Sequence, residues 1–120
     1  MSLPVQHASI AAWGDEAHVL DNRAQYRDKF ATVTPMLEPV LGVTQPEGGF
    51  YYWPRTPIDD ESFTQRLFVE ENVTVLPGRY LSRSHDGIDP GINRVRMAMV
   101  SELPECVDAA ERIVHFARSL

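Results

Sequence analysis

Two arginines lie one residue apart in the otherwise apolar segment NRVRMAMV, residues 93–100. If this segment is a β-strand, its side chains alternate between two faces. One face then carries Arg94, Arg96, Ala98 and Val100, and the other carries Val95, Met97 and Met99. A guanidinium beside a core is costly unless an anion meets it. The anion is either one of the chain's 17 acidic residues or the carboxylate of a bound molecule, which the planar donors of arginine fit well.

Other candidate sites have simpler interpretations. The four histidines lack paired metal-ligand spacing, and DGIDPG, residues 86–91, lacks the ligand ladder of a calcium loop and is predicted to be a turn. LPGRY has one glycine and no following lysine, which excludes a P-loop. Ser82 and Ser84 adjoin His85, but adjacent residues seldom have triad geometry. EGGFYYW, residues 47–53, fits either a ligand platform or a glycine turn that enters an aromatic core strand.

Length and composition limit the classes of function. A chain of 120 residues with 43% hydrophobic and 23% charged residues suits one globular domain with a core. The net charge of −6 argues against nucleic-acid binding, and no apolar run is long enough to span a membrane. The single Cys106 fits a reducing compartment, so we expect a cytoplasmic protein. Lys29 is the only lysine, so chemistry that needs a lysine must use it or occur elsewhere.

The first part of the chain is predicted to be helical. A shorter helix over residues 3–13 precedes a long one, for which Asp15 is the expected N-cap. Pro35 predicts a kink or break in the long helix, and Gly42 predicts its end. Its apolar stripe recurs at helical spacing and comprises Val19, Tyr26, Phe30, Val33, Leu37 and Val40.

The remainder alternates between strands and helices. Residues 50–53, VTVLPG and NRVRMAMV are predicted strands, and a polar loop precedes the last of them. Asp59 is the predicted N-cap of a helix that runs to about Glu71 with Phe63 and Leu67 inward. Ser101 is the predicted cap of a final helix that tolerates Pro104 in its first turn. The buried stripe of this helix is expected to be Cys106, Ala110, Ile113, Ala117 and Leu120. The order predicts an α+β fold in which helices cover a small, mostly antiparallel sheet.

Three stretches together resemble a known family: QPEGGFYYWP, NVTVLPGRYLSR and PGINRVRMAMVSELPECVDAAERI. They are similar to the C-terminal part of class I/II, fold-type I, pyridoxal-phosphate-dependent aminotransferases, and the resemblance covers roughly residues 5–120. It implies that residues 15–41 form a long helix linking a large and a small domain, and that residues 42–120 form the α+β small domain. Residues 1–14 would then be an introduced start followed by the end of a large-domain helix.

The resemblance also implies roles for particular residues. The family's arginine before an [ILM]-[AS] pair holds the substrate α-carboxylate, and here it is Arg96. The motif gives Arg94 no role, so we interpret Arg94 as part of an ordinary ion pair. The cofactor lysine belongs to the large domain, upstream of this chain, and Lys29 is expected on the polar side of a surface helix. We therefore expect no catalytic residue and no bound pyridoxal phosphate in this piece, which would be inactive alone.

More narrowly, VLPGRYLSR, NRVRMAMV and ECVDAAERI resemble the succinyldiaminopimelate transaminase branch of the family, which serves bacterial lysine synthesis. The expected partners are an amino or keto acid substrate, the enzyme's own large domain and a second subunit in a homodimer. The alternative is a stand-alone α+β module that binds a small acid or has a regulatory role, and that does not catalyse a reaction. An upstream reading frame that encodes a lysine would favour the enzyme, and a natural start at Met1 would favour the module. The opening MSL resembles an introduced start.

Overall fold

Helices precede, connect and follow the strands of a small sheet. The computed structural model describes residues 1–120. The elements in chain order are α1 (Leu3–Gly14), α2 (Glu16–Leu41), β1 (Tyr51–Tyr52), α3 (Asp60–Glu71), β2 (Leu76–Pro77), β3 (Val95–Ala98) and α4 (Leu103–Ser119). A short 3-10 turn, Gly78–Tyr80, follows β2. The α+β class predicted from the sequence is confirmed. None of the helices is both long and apolar enough to cross a membrane.

The long helix α2 begins and ends where its sequence predicts. The Asp15 carboxylate accepts hydrogen bonds from the backbone N–H groups of Ala17 and His18, and Gly42 ends the helix at a left-handed φ of 59°. Of the kink or break predicted at Pro35, the break does not occur, because α2 continues through Pro35 to Leu41. Val33 and Leu37, on either side of Pro35, are each 1% exposed. Their burial offsets the helix hydrogen bond that a proline loses.

The sheet has the order β1-β3-β2, and β3 pairs antiparallel with both neighbours. Its predicted alternation is confirmed, since Val95, Met97 and Met99 are buried while Arg96 is partly exposed. The strands are shorter than predicted, and β1 comprises two residues only. Because β3 is central, its inner face reaches the helices and its outer face is left for other contacts.

The core lies between the inner face of the sheet and helices α2, α3 and α4. Phe63 and Phe116 meet edge to face, with ring centroids 5.2 Å apart, and both are fully buried. Phe116 takes the place predicted for Ala117 and Leu120 in the buried stripe of α4, and Leu120 is 42% exposed. The predicted Ser101 cap is wrong, because α4 starts at Leu103 and the Ser101 carbonyl accepts a bond from Cys106 Sγ instead. The other predicted members of the stripe, Cys106, Ala110 and Ile113, are buried.

Candidate functional site

The outer face of the β1–β3 pair gathers arginine and aromatic side chains. Tyr51 lies opposite Ala98, and an isolated bridge pairs Arg55 with Arg94 in the same register. The same register places Trp53 opposite Arg96. Because side chains alternate along each strand, these residues share one face. We call this set the arginine face; it comprises Tyr51, Trp53, Arg55, Arg94 and Arg96.

Arg96 has no acidic partner in this chain. No carboxylate lies within 4.0 Å of its guanidinium, and it makes no hydrogen bond to another residue. Its guanidinium carbon lies 4.8 Å from the ring centroid of Tyr51 and 5.3 Å from that of Phe50. These cation–π contacts orient the side chain while its N–H donors stay unused. Arg96 lines a cavity of about 510 Å³ with Tyr51, Trp53 and Leu81.

Arg94 does not form the ion pair that the sequence suggested. Its Nη1 donates to the backbone carbonyl of Trp53 at 2.8 Å, and no carboxylate lies within ion-pair distance. The interpretation as an ordinary ion pair is therefore wrong. The physical reason is the neighbouring strand, which offers Arg94 a carbonyl and the side chain of Arg55 but no acidic residue.

Lys29 does not lie on a polar surface, so that expectation is also wrong. Its side chain is 6% exposed, and Nζ donates to the Met99 carbonyl at 3.3 Å. Nζ also lies 5.0 Å from the centroid of the Tyr26 ring. Helix α2 packs across the end of β3 here, so the lysine is held between helix and sheet. Burial raises the pKa of the nearby Cys106 thiol, although the charge of Lys29 acts in the opposite direction, and such a thiol is unreactive.

An ionic cluster that the sequence analysis missed supports the start of β3. Arg79 contacts Asp59, Asp60 and Glu61 at the beginning of α3. Asp60 is fully buried, and its carboxylate accepts bonds from Arg79 Nε at 2.9 Å and from the Asn93 backbone N–H at 3.2 Å. Three acidic residues in succession at a predicted helix start were the available signal. The cluster ties α3 to the turn after β2 and to the residue before Arg94.

The carboxylate of Asp60 stays ionised despite its burial. Burial alone raises the pKa of Asp60, but the hydrogen bonds from Arg79 and from the backbone N–H groups outweigh it. The net result is a pKa below the usual value of 3.8. The hydrogen bond to Asp60 in turn raises the pKa of the Arg79 guanidinium. The pair is therefore a charged anchor throughout the neutral range.

The remaining candidate segments have structural roles. Residues 86–91 contain the predicted turn, in which Asp86 and Gly87 have positive φ and Asp89 accepts from the Gly91 backbone N–H at 2.8 Å. Ser82 donates to Asp89 rather than to His85. In EGGFYYW, Tyr52 is buried and shares a 2.8 Å hydrogen bond with Thr34, while Tyr51 belongs to the arginine face. No three histidine, cysteine or acidic residues are grouped so that they could hold a metal ion.

Comparison with known proteins decides the family. Residues 1–113 match the family model described as aminotransferase class I and II. This chain belongs to the class I and II aminotransferases. The family resemblance inferred from the three stretches is thereby confirmed. No curated protein is similar enough to count as a match.

Solved structures agree with the family and differ in their names. An aminotransferase from Neisseria meningitidis shares 47% identity over 98% of this chain, with a TM-score of 0.91. A probable N-succinyldiaminopimelate aminotransferase from Thermus thermophilus shares 36% identity over 76% of the chain, with a TM-score of 0.63. An aromatic aminotransferase from Pyrococcus horikoshii, at 24% identity over 96% of the chain and a TM-score of 0.82, supports the fold alone. The chain covers 30%, 23% and 31% of these three proteins, respectively.

Proposed function

We propose that this chain is the small-domain part of a pyridoxal-phosphate-dependent aminotransferase and that Arg96 binds the substrate α-carboxylate. The observation that carries the proposal is the guanidinium of Arg96, which is stacked on aromatic rings, faces a cavity and has no acidic partner. A substrate carboxylate would accept two parallel, charge-assisted hydrogen bonds from this guanidinium. Such a contact fixes the position of the substrate's α-carbon for the chemistry carried out by the rest of the enzyme.

The class implies pyridoxal phosphate, and the residues of this chain do not fit the role of holding it. Aminotransferases bind this cofactor through a lysine. The only lysine, Lys29, is buried between α2 and β3, and its Nζ is occupied by the Met99 carbonyl. We therefore assign the cofactor lysine to the larger part of the enzyme, which this chain does not span, and expect the isolated chain to be inactive. No catalytic step is assigned to a residue of this chain.

For the substrate, we propose a succinyldiaminopimelate transaminase. The enzyme would exchange an amino group between glutamate or 2-oxoglutarate and N-succinyl-amino-oxoheptanedioate in cytoplasmic lysine synthesis. Two findings support this assignment. Three stretches resemble that branch, and the chain shares 36% identity with the probable N-succinyldiaminopimelate aminotransferase of Thermus thermophilus.

The proposed partners are the enzyme's large domain and a second subunit in a homodimer. Helix α1 has no buried residue, and it exposes 69% of Leu3, 71% of Ile10 and 86% of Trp13. Apolar side chains exposed along one helix are typical of an interaction surface. The matched structures are roughly three to four times longer than this chain, and their additional length supports the large domain as the occupant of this surface.

The test is the substitution Arg96→Lys in the full-length enzyme. Lysine keeps the charge but loses the fork, so kcat/KM should fall by about 30- to 1,000-fold, or about 2–4 kcal/mol. The control is Arg118→Lys, which changes an exposed arginine that makes no ion pair and should leave kcat/KM intact. The melting temperature should hardly change in either variant, since Arg96 has no ion-pair or hydrogen-bond partner to lose and lysine keeps a cation beside the Tyr51 and Phe50 rings. Unchanged kinetics in Arg96→Lys would exclude the proposed role.

A further inference from the structure

Arg55 and Arg94 lie directly opposite each other without an acid between them. The Thr56 N–H donates to the Asn93 carbonyl at 2.9 Å, and the Val95 N–H donates to the Pro54 carbonyl at 3.2 Å. These bonds flank the two arginines, which makes them a non-hydrogen-bonded pair, the arrangement in which opposite side chains come closest. Like charges in such a pair are destabilising. An anion bound between the two guanidinium groups would relieve this repulsion.

No residue of the chain supplies that anion. Arg55 makes no hydrogen bond or ion pair, and the one partner of Arg94 is the uncharged Trp53 carbonyl at 2.8 Å. That bond uses one N–H of Arg94 and fixes its plane, while its other donors remain available. Two arginines whose guanidinium groups have unused donors therefore lie opposite each other on the outer face of the sheet.

Both arginines line a cavity that adjoins the cavity of Arg96. The cavity has a volume of about 640 Å³, and residues of the loop after α2, which include Thr44 and Gly48, also line it. Tyr51 and Trp53 line this cavity and also the cavity of Arg96. The two cavities therefore share an aromatic wall.

We infer that Arg55 and Arg94 form a second carboxylate subsite, which takes the distal carboxylate of a long dicarboxylic substrate whose α-carboxylate lies on Arg96. This inference rests on the proposed role of Arg96. Arg94 and Arg96 are two residues apart on one strand, which separates their α-carbons by about 7 Å. The substrate class is an amino or keto acid with a second carboxylate several carbon atoms from the first, and the shared aromatic wall contacts the intervening chain.

The experiment compares two inhibitors of the full-length holoenzyme, pimelate and heptanoate. They have the same seven-carbon chain, but pimelate ends in a second carboxylate and heptanoate in a methyl group. In the unsubstituted enzyme, pimelate should have an inhibition constant about tenfold lower than heptanoate, the low end for a charge-assisted contact. Arg55→Gln should remove most of this difference. Arg118→Gln, which deletes another exposed charge far along the chain, should keep it.

Three other results would overturn the carboxylate subsite at Arg55 and Arg94. Equal inhibition by pimelate and heptanoate in the unsubstituted enzyme, or an unchanged ratio in Arg55→Gln, would overturn the subsite. A lower melting temperature with both inhibitors equally weakened in Arg55→Gln would make Arg55 a structural residue and also overturn it. If Arg55→Gln weakened inhibition by inorganic phosphate but left the pimelate ratio unchanged, the pair would be a phosphate site and not a carboxylate subsite.

The control for the underlying proposal is Arg96→Lys, measured with the same two inhibitors. It should weaken both of them, because both place one carboxylate on Arg96. If Arg96→Lys affected neither inhibitor while Arg55→Gln still removed the advantage of pimelate, the role of Arg96 would be wrong and the Arg55–Arg94 anion site would stand alone. The two failures are therefore distinguishable.

Discussion

The buried anchor of Asp60 leads to a sharp prediction about stability. In Asp60→Asn the side chain keeps its shape but loses its charge, and the amide NH2 group has no acceptor among the donors that surround it. Those donors are Nε and Nη2 of Arg79, at 2.9 and 2.6 Å, and the backbone N–H groups of Arg79 and Asn93, both at 3.2 Å. The substitution therefore weakens several charge-assisted bonds at once.

The expected cost follows from these contacts. Removing one partner of a fully buried ion pair costs about 3–5 kcal/mol. Arg79 is 30% exposed and retains Asp59 and Glu61 as partners. We therefore expect Asp60→Asn to cost less than a fully buried pair would, about 2–3 kcal/mol. With a urea dependence of about 1.5 kcal/mol per molar, the midpoint of unfolding should fall by about 1.3–2 M.

The assay is urea unfolding of the 120-residue chain at pH 7, followed by circular dichroism. The matched control is Asp108→Asn, which breaks a 2.8 Å pair with Arg112 on the exposed side of α4. That pair joins two half-exposed side chains four residues apart, so its loss should cost about 0.5 kcal/mol or less. Equal losses in the two variants would refute the reasoning that burial makes the Asp60 anchor strong.

The stabilisation by Asp60 should also depend on pH in a definite direction. Because Arg79 and the backbone donors hold the pKa of Asp60 below its usual value, ionised Asp60 stabilises the fold fully above about pH 4. This contribution is lost as the pH falls through the folded-state pKa of Asp60. The difference in unfolding free energy between the unsubstituted chain and Asp60→Asn should therefore shrink with acidification below pH 4. A difference that is constant from pH 7 to pH 2 would contradict the charged state of Asp60.

Two further predictions concern the turn after β2 and the lysine. Gly78→Ala should cost about 1–3 kcal/mol in urea unfolding, because its Cβ would collide with the backbone oxygens of Gly91 and Arg94. Gly48→Ala, whose Cβ meets nothing within 4 Å, should be neutral, and equal effects would show that the turn can shift. Treatment of the chain with pyridoxal phosphate and borohydride should leave Lys29 without a stoichiometric adduct in mass spectrometry, because its Nζ is buried and bonded. The amino group of Met1 serves as the internal control for labelling, and a clean adduct on Lys29 would contradict its assignment as structural.

The sequence by itself determined the features that depend on neighbours along the chain. Asp15 and Asp59 were predicted as helix caps because a capping carboxylate bonds to N–H groups two or three residues later. Gly42 was predicted as a helix end because the residue after a helix often adopts the left-handed conformation, which glycine adopts without strain. The inward and outward faces of β3 followed from strict alternation. Arg96, the arginine before the Met97-Ala98 pair, was singled out by a short motif of the family.

Only the tertiary structure decided which residues meet across the fold. Lys29 bonds to Met99, Arg79 to Asp60, and Arg94 to Trp53, at separations of 70, 19 and 41 residues. No periodicity along the chain encodes such contacts, because they depend on strand register and on how α2 and α3 pack against the sheet. The sequence therefore indicated a polar Lys29 and an ion-paired Arg94, and both were wrong. The pairing of Arg55 with Arg94 arises in the same way, since the register of β1 on β3 alone brings the two charges face to face.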